Sequence, residues 1–265
     1  MSRIIIDGDS LSFYCTRETA QLSLDELDSR LHNLFEITKA SSYLIVMSKG
    51  NYFRHHIYKD YKATRNQYRD RQKTYAKTLQ AYLKDEYGAI HVDGAEADDL
   101  VAYVKTKYPE IIVCSPDKDV LKQIPGTHYD YRWVKLNSGT IDEQLEEDRW
   151  VTTTSDEAEN FLWTQCLTGD ATDNVKGIPG IGPSKANKIL ADEGEPYHTI
   201  VLNEYIKYYG KTLGIHMFQL NYRLLYLLRT DQDYINEGIS PLNIEPSHFI
   251  DLSNPNIVID QWNIS

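Results

Sequence analysis

Residues 110–119 read EIIVCSPDKD, an apolar run from Glu110 to Cys114 that stops at Ser115-Pro116-Asp117, with Asp119 two residues further on. A short continuous apolar run bounded by turn residues is the pattern of a strand buried on both faces of a parallel sheet. The same pattern recurs upstream. Arg3–Ile6 is an apolar strand ending at Asp7, Tyr43–Met47 is a continuous apolar run, and Ala89–Val92 is a brief one. Between them Leu24, Leu27, Leu31, Leu34 and Phe35 recur at helical spacing. They predict an amphipathic helix over Ser23–Lys39, capped by Ser23 with Glu26 three residues later. Asp98–Tyr108 reads as another helix. Strands alternating with helices imply an α/β fold with a mostly parallel sheet flanked by helices. His128–Lys135 and Thr140–Ile141 are expected to form a hairpin turning at Asn137-Ser138-Gly139.

From Ser155, with Glu157 and Glu159 near it, the pattern turns helical through Phe161, Leu162 and Leu167, and it stays helical to about Thr230. The partition read from the chain is therefore a core over 1–154, a helical region over 155–230 and a tail over 231–265. The tail holds Pro241, Pro246 and Pro255 and gives no periodic signal.

The 265 residues are 41% hydrophobic and 25% charged, the profile of a globular protein of one domain or a domain with an appendage. The 20 tyrosines fit either core packing or stacking on bases. Cys15, Cys114 and Cys166 are an odd, widely spaced set with no CxxC pair, which argues against a disulfide framework or zinc site and for a reducing interior. The apolar run after Met1 is too short for a signal peptide, and no stretch approaches the roughly 18 apolar residues of a membrane span. The expectation is a cytoplasmic protein with no membrane partner.

Acidic residues collect where the apolar strands stop. Asp7 follows the first strand, and Glu96, Asp98 and Asp99 open a helix in DGAEADDL. Asp117 and Asp119 follow the strand quoted above, and Asp170 and Asp173 end a helix in TGDATDN. In open parallel sheets, sites gather outside the carboxyl ends of the strands, so these segments can converge. Glu96 with Asp99, and Asp170 with Asp173, are each three apart and can share a helical face. Eight carboxylates in one place repel one another unless cations neutralise them. Oxygen donors without His or Cys favour magnesium or manganese, and two such ions about 4 Å apart clamp the attacking and leaving oxygens of a phosphodiester. A lone Asp at a strand end is more often a cap, and Asp9 is read as the cap of a helix starting near Ser10.

The net charge of −11 is unfavourable for a nucleic-acid binder, yet it is unevenly spread. The window 49–84 carries +8, from Lys49, Arg54, Lys59, Lys62, Arg65, Arg69, Arg71, Lys73, Lys77 and Lys84 against Asp60 and Asp70, which leaves −19 for the remainder. Tyr58, Tyr61, Tyr68 and Tyr75 are interleaved with these charges, so the window can track a phosphate backbone and stack on bases. A solvated basic helix is the bland reading. Further on, GIPGIGPSKA (177–186) offers close backbone approach at its glycines and helix N–H groups to an anion, with Pro183 in the first turn and Lys185 adding charge. It resembles a helix-hairpin-helix DNA-backbone motif.

In order, DGDS, FR…YKATR, EADD, SPDKD and GDATDN-VKGIPGIGPSKA resemble the 5′-nuclease family of flap endonucleases, bacteriophage 5′→3′ exonucleases and the 5′ nuclease domain of bacterial polymerase I. The resemblance covers about residues 3–190, and the short chain is most like the phage members. It implies a PIN-like α/β core, a helical arch over 49–84 threaded by a 5′ single strand, and a C-terminal helix-hairpin-helix region gripping duplex. It further implies two divalent ions (Mg2+ or Mn2+). Asp7, Glu96, Asp98, Asp117 and Asp119 would form or surround the tighter site, and Asp99, Asp170 and Asp173 would serve the second. Lys62 and Arg65 would meet the scissile phosphate, with Asp117, as the catalytic residues. Arg54, Lys59, Arg69, Gly177, Gly180, Gly182, Ser184 and Lys185 would contact DNA, and a K+ ion would sit at the glycine loop. The expected substrates are DNA with a free 5′ end or 5′ flap, and RNA in RNA–DNA hybrids, cut by a monomer in the host cytoplasm if the chain is phage-encoded.

One departure stands out: Ser48, in VMSKGNYFR, occupies a position where the family usually places an Asp. The competing readings are a catalytically weakened, structure-specific DNA-binding protein and a PIN-type ribonuclease.

Overall fold

Ile4, Ile5 and Ile6 have no solvent exposure. Three β-branched side chains that alternate faces and are all buried can only belong to a strand covered on both sides. A computed structural model describes residues 2–63, 70–132, 149–191 and 194–253. In it this run is β1 (Ser2–Asp7), paired in parallel with β2 (Ala40–Ser48) on one side and β4 (Ile112–Cys114) on the other. Beyond β2 lies β3 (Ile90–Val92), parallel. Beyond β4 lie β5 (Gly126–Tyr129), parallel, and β6 (Trp150–Thr153), antiparallel. The chain therefore fills the sheet outward from β1 in one direction, then restarts next to β1 in the other. The switch point lies between β1 and β4.

Helices cover the sheet. Leu27, Leu31, Leu34 and Phe35 of α2 (Ala20–Ile37) pack with Leu79, Leu83 and Tyr87 of α4 (Asp70–Tyr87) against Ile4, Ile6, Tyr43, Ile45 and Met47. Alternation leaves Ile5, Leu44 and Val46 for the opposite face, where α5 (Ala97–Lys107) packs on β1 and β2. The predicted start of α2 is one turn late. Thr19 is the cap, accepting from the Leu22 amide at 3.2 Å. Ser23 lies inside the helix with its hydroxyl on the Thr19 carbonyl. Thr is only a somewhat weaker cap than Ser, and Ala20-Gln21-Leu22 extends the helix back to the earlier one.

The chain forms two compact units. The first comprises residues 1–51, 70–153 and 228–265, and the second residues 52–69 and 154–227. This differs from the linear partition read off the sequence. Residues 52–69 join the second unit because Tyr61 buries in a core with Leu162, Trp163, Cys166, Leu167, Val201, Tyr205 and Leu224. That unit holds α3 (Phe53–Ile57), α7 (Ser155–Thr168), the short antiparallel pair β7 (Gly169–Asp170) and β8 (Val175–Lys176), α8 (Pro183–Leu190), α9 (Tyr197–Tyr209) and α10 (Lys211–Leu225). Thr154, one residue before the expected Ser155, caps α7 in a reciprocal box with Glu157.

The tail that carried no sequence signal returns to the first unit. After α11 (Asp231–Asn236), Ile244 and Phe249 are buried, and β9 (Ile250–Asp251) pairs antiparallel with β2. β5 pairs antiparallel with β6, and the turn expected at 137–139 and the strand expected at 140–141 lie outside the described residues.

Candidate metal and nucleic-acid site

The switch point gathers the first group of acids. Asp7 ends β1 and caps α1 (Gly8–Tyr14), its Oδ1 accepting the Ser10 amide at 3.0 Å. The Ser115 hydroxyl, just past β4, donates to Asp7 Oδ2 at 3.1 Å and also accepts the Asp117 amide at 3.1 Å. One serine thus ties the two strand ends together. Asp117 caps α6 (Lys118–Gln123) by accepting the Asp119 amide at 2.7 Å, and Asp119 pairs with Lys118. Asp7 is 1% exposed. Burial, and then the Asp9 charge, push its carboxyl up to about 6, with Asp117 adding to the rise and the Ser10 hydrogen bonds opposing it.

Glu96 caps α5 and is 6% exposed. Its amide donates to Asp99 Oδ2 at 3.0 Å, while the Leu228 amide donates to Asp99 Oδ1 at 3.0 Å. Asp99 is fully buried. Each of its oxygens holds a backbone N–H, so it fixes the start of α5 and the entry of the C-terminal segment. Asp98 is half-buried at the same helix end.

The expected cap at Asp9 is not formed, because α1 starts at Gly8 and Asp7 caps it. Asp9 instead accepts the Ser48 amide at 3.0 Å on Oδ2 and the Gln80 side-chain amide at 2.8 Å on Oδ1. Ser48, at the end of β2, accepts the Ala97 amide on its hydroxyl at 2.8 Å. Sequence reasoning passed over Asp9 because the start of the helix was read two residues late.

The second unit carries the other acids. Asp170 is 6% exposed and accepts the Thr172 amide at 2.7 Å and the Asp173 amide at 3.4 Å on Oδ1. Asp173 Oδ2 accepts the Tyr61 hydroxyl at 3.0 Å and lies 3.7 Å from Lys62 Nζ. The Lys62 amide donates to the Asp173 carbonyl at 2.9 Å. A predicted phosphate contact and a predicted metal ligand, distant in sequence, are therefore neighbours. Lys59 is exposed, while Arg65 and Arg69 lie outside the described residues. Arg54, expected at a phosphate, is 1% exposed, and its guanidinium donates to the Leu224 and Tyr226 carbonyls at 3.0 and 2.7 Å. That environment is the closure of the C-terminal end of α10, which explains a buried cation where a surface one was expected.

The glycine segment separates into distinct roles. A Cβ at Gly177 would lie 2.2 Å from the Thr168 carbonyl carbon, so packing alone requires glycine there. Gly180 has φ +78°, left-handed. Gly182 caps α8 with nothing within 4 Å of a Cβ. With exposed Ser184, Lys185 and Lys188 it lines a cavity of about 490 Å3.

Among the described residues, no three Asp, Glu, His or Cys side chains are grouped tightly enough to hold a metal ion as they stand. The donor chemistry fits a hard divalent cation all the same. The acids at the switch point, Asp7, Asp117 and Asp119, offer hard carboxylate oxygens. Asp7 is held toward its neutral form by burial and neighbouring charge, a penalty that a cation removes. No helix among the described residues is long and apolar enough to cross a membrane.

A mostly parallel sheet with helices on both faces and carboxylates at its strand ends defines a PIN-like α/β protein. The family described as the 5′-3′ exonuclease, N-terminal resolvase-like domain, matches residues 3–152, and the chain belongs to it. It is 31% identical to the flap endonuclease Xni of Shewanella sediminis over 77% of this chain and 76% of that protein. It is 30% identical to a 5′-3′ exonuclease of Aquifex aeolicus over 62% of this chain. The match spans 58% of the Aquifex protein and 10% of a Rhizobium leguminosarum DNA polymerase I. Among solved structures, a bacteriophage T5 flap endonuclease in complex with DNA and metal ions has the same fold, with a TM-score of 0.64, 19% identity and coverage of 86% of this chain and 90% of that one.

Proposed function

We propose that this chain is a divalent-metal-dependent 5′ nuclease that hydrolyses DNA phosphodiesters near a free 5′ end or at a 5′ flap, and also RNA in RNA–DNA hybrids. The observation that carries this reading is the pairing of Asp7 and Asp117 through Ser115 at the switch point, within a chain of the 5′-3′ exonuclease family. Two magnesium or manganese ions would polarise the phosphate and activate water. Asp7, Glu96, Asp98, Asp117 and Asp119 are assigned to one ion and its surroundings, with Asp99, Asp170 and Asp173 serving the second. Asp99 also fixes the start of α5.

The protein's own part is positional and electrostatic. Lys62, steered by Asp173, offers a cation to the reacting phosphate, with Arg65 beside it. Lys59, Lys185, Ser184 and the amides beyond Gly182 hold the DNA backbone, the segment 177–186 acting as a helix-hairpin-helix with a potassium ion in its loop. The enzyme is proposed to act as a cytoplasmic monomer.

The test is cleavage of a 5′-labelled flap duplex, single-stranded RNA and an RNA–DNA hybrid with magnesium, manganese or EDTA. Release of short 5′ fragments from the flap, abolished by EDTA and reduced at least a hundredfold by Asp117→Asn, is the expected result. Duplex binding without cleavage in either metal would instead identify a DNA-binding protein without nuclease activity.

A further inference from the structure

Asp9 is a half-buried carboxylate that the assignments above leave unused. The ordinary role of an acid in the first turn of a helix is a weak interaction with the helix dipole. Such a role needs no fixed orientation. Asp9 has one: the amide of Ser48 holds Oδ2, and the side chain of Gln80, from α4, holds Oδ1. Both donors are neutral, so the negative charge is oriented without being cancelled.

The orientation has a direction. Ser48 ends β2, directly beside β1 and its terminal Asp7, and the Ser48 hydroxyl receives the amide of Ala97, next to Glu96. Electrostatics agrees with the geometry. The Asp9 charge is felt at Asp7, and the Glu96 charge is felt at Asp9. Through Ser48, Asp9 is therefore tied to the end of β2 that runs beside β1 and to the start of α5. At this strand end Ser48 brings no charge, because its amide and hydroxyl are occupied in holding Asp9 and α5.

We propose that Asp9 is a member of the divalent-cation site, supplying from α1 the carboxylate that the end of β2 does not provide, with Ser48 and Gln80 orienting it. This rests on the reading of the chain as a metal-dependent nuclease. The division of labour is specific. Ser48 acts as the anchor and Asp9 as the charge, so the carboxylate should be transferable between the two positions.

The experiment is titration of the full chain with Mn2+ in the absence of DNA, followed by calorimetry and by the electron paramagnetic resonance signal of free Mn2+, with circular dichroism melts alongside. Asp9→Asn keeps the size of the side chain and is expected to weaken Mn2+ binding about tenfold or more, the scale on which groups around a metal act. The double variant Asp9→Asn/Ser48→Asp is expected to recover most of that loss. Recovery supports the proposal even if the single variant melts lower than the parent. Binding in Asp9→Asn equal to the parent's, or a folded double variant that binds no better than the single one, overturns it. Failure of the unaltered chain to bind Mn2+ at all would instead count against the nuclease reading on which the proposal rests.

Discussion

Lys62 adopts φ +55°, a left-handed conformation that costs a non-glycine residue about 1–2 kcal/mol. Its amide is held by the Asp173 carbonyl and its ammonium by the Asp173 carboxylate, so the strain is met where the side chain is aimed. Lys62→Ala should therefore lower kcat at least a hundredfold while changing duplex affinity less than threefold. Lys185→Ala, on an exposed turn of α8, should do the reverse, weakening affinity and flattening its salt dependence by about one ion. Single-turnover kinetics and binding at several salt concentrations separate the two. His128 gives a second prediction at this scale. Its ring is fully buried with Nδ1 unpartnered, and burial pushes its pKa down to about 4, the Nε2 hydrogen bond to Ile124 opposing and the Lys105 charge assisting. Between pH 6.5 and 4 the unfolded chain binds a proton that the folded chain refuses, so the contribution is complete above 6.5 and is lost as pH falls, up to about 3 kcal/mol. Asp7, shifted upward, acts with opposite sign over an overlapping window. The readout is consequently the difference between the parent and His128→Gln in urea melts at pH 7.5 and 4.5, where the variant should lose less stability.

At the scale of elements, the strands were legible because their side chains are buried on both faces: Ile4–Ile6, Tyr43–Met47 and Ile111–Cys114 read as apolar runs with or without a fold in view. Asp7 and Asp117 were legible for the same reason, since each closely follows the end of an apolar run, whereas the run ending at Ser48 carries no acid. Caps were less so, as the choices of Thr19 over Ser23 and of Asp7 over Asp9 turn on four and two residues of helix length. Arg54 was not legible, because its partners at Leu224 and Tyr226 are 170 and 172 residues away. The glycine turn yields a prediction that separates packing from binding. Gly177→Ala forces a Cβ into backbone and should destabilise the second unit by on the order of 3 kcal/mol. Gly182→Ala meets nothing in the protein, so its melting temperature should be unchanged while duplex affinity falls. A Gly182→Ala variant with parental affinity would remove the turn from the DNA interface.

For the whole molecule, the part that could not be read was the return of the tail. Two paired residues, Ile250 and Asp251, are too short a strand for alternation to register, and the buried Ile244 and Phe249 are isolated in a polar stretch. Deleting residues 238–265 removes Ile239 from its place over Gly94, both buried side chains and the short antiparallel partner of β2. The loss should cost the first unit roughly 3–6 kcal/mol. Hydrogen exchange should show protection falling in β2 and α5 with little change in α7, α9 and α10; uniform loss, or none, would mean the tail is not part of the first unit.

The first unit is built from three separate stretches, the last beginning at residue 228. During synthesis on the ribosome, β1 through β6 emerge well before the strand that edges β2 and the amide of Leu228 that binds Asp99. The nascent sheet must therefore wait, unfinished, while residues 154–227 are translated, a delay of several seconds at ordinary elongation rates of about 5–20 residues per second. Any carboxylate geometry that depends on the final position of α5 is set only after that interval, so the order of manufacture keeps the acidic centre incomplete until residue 228 has been made.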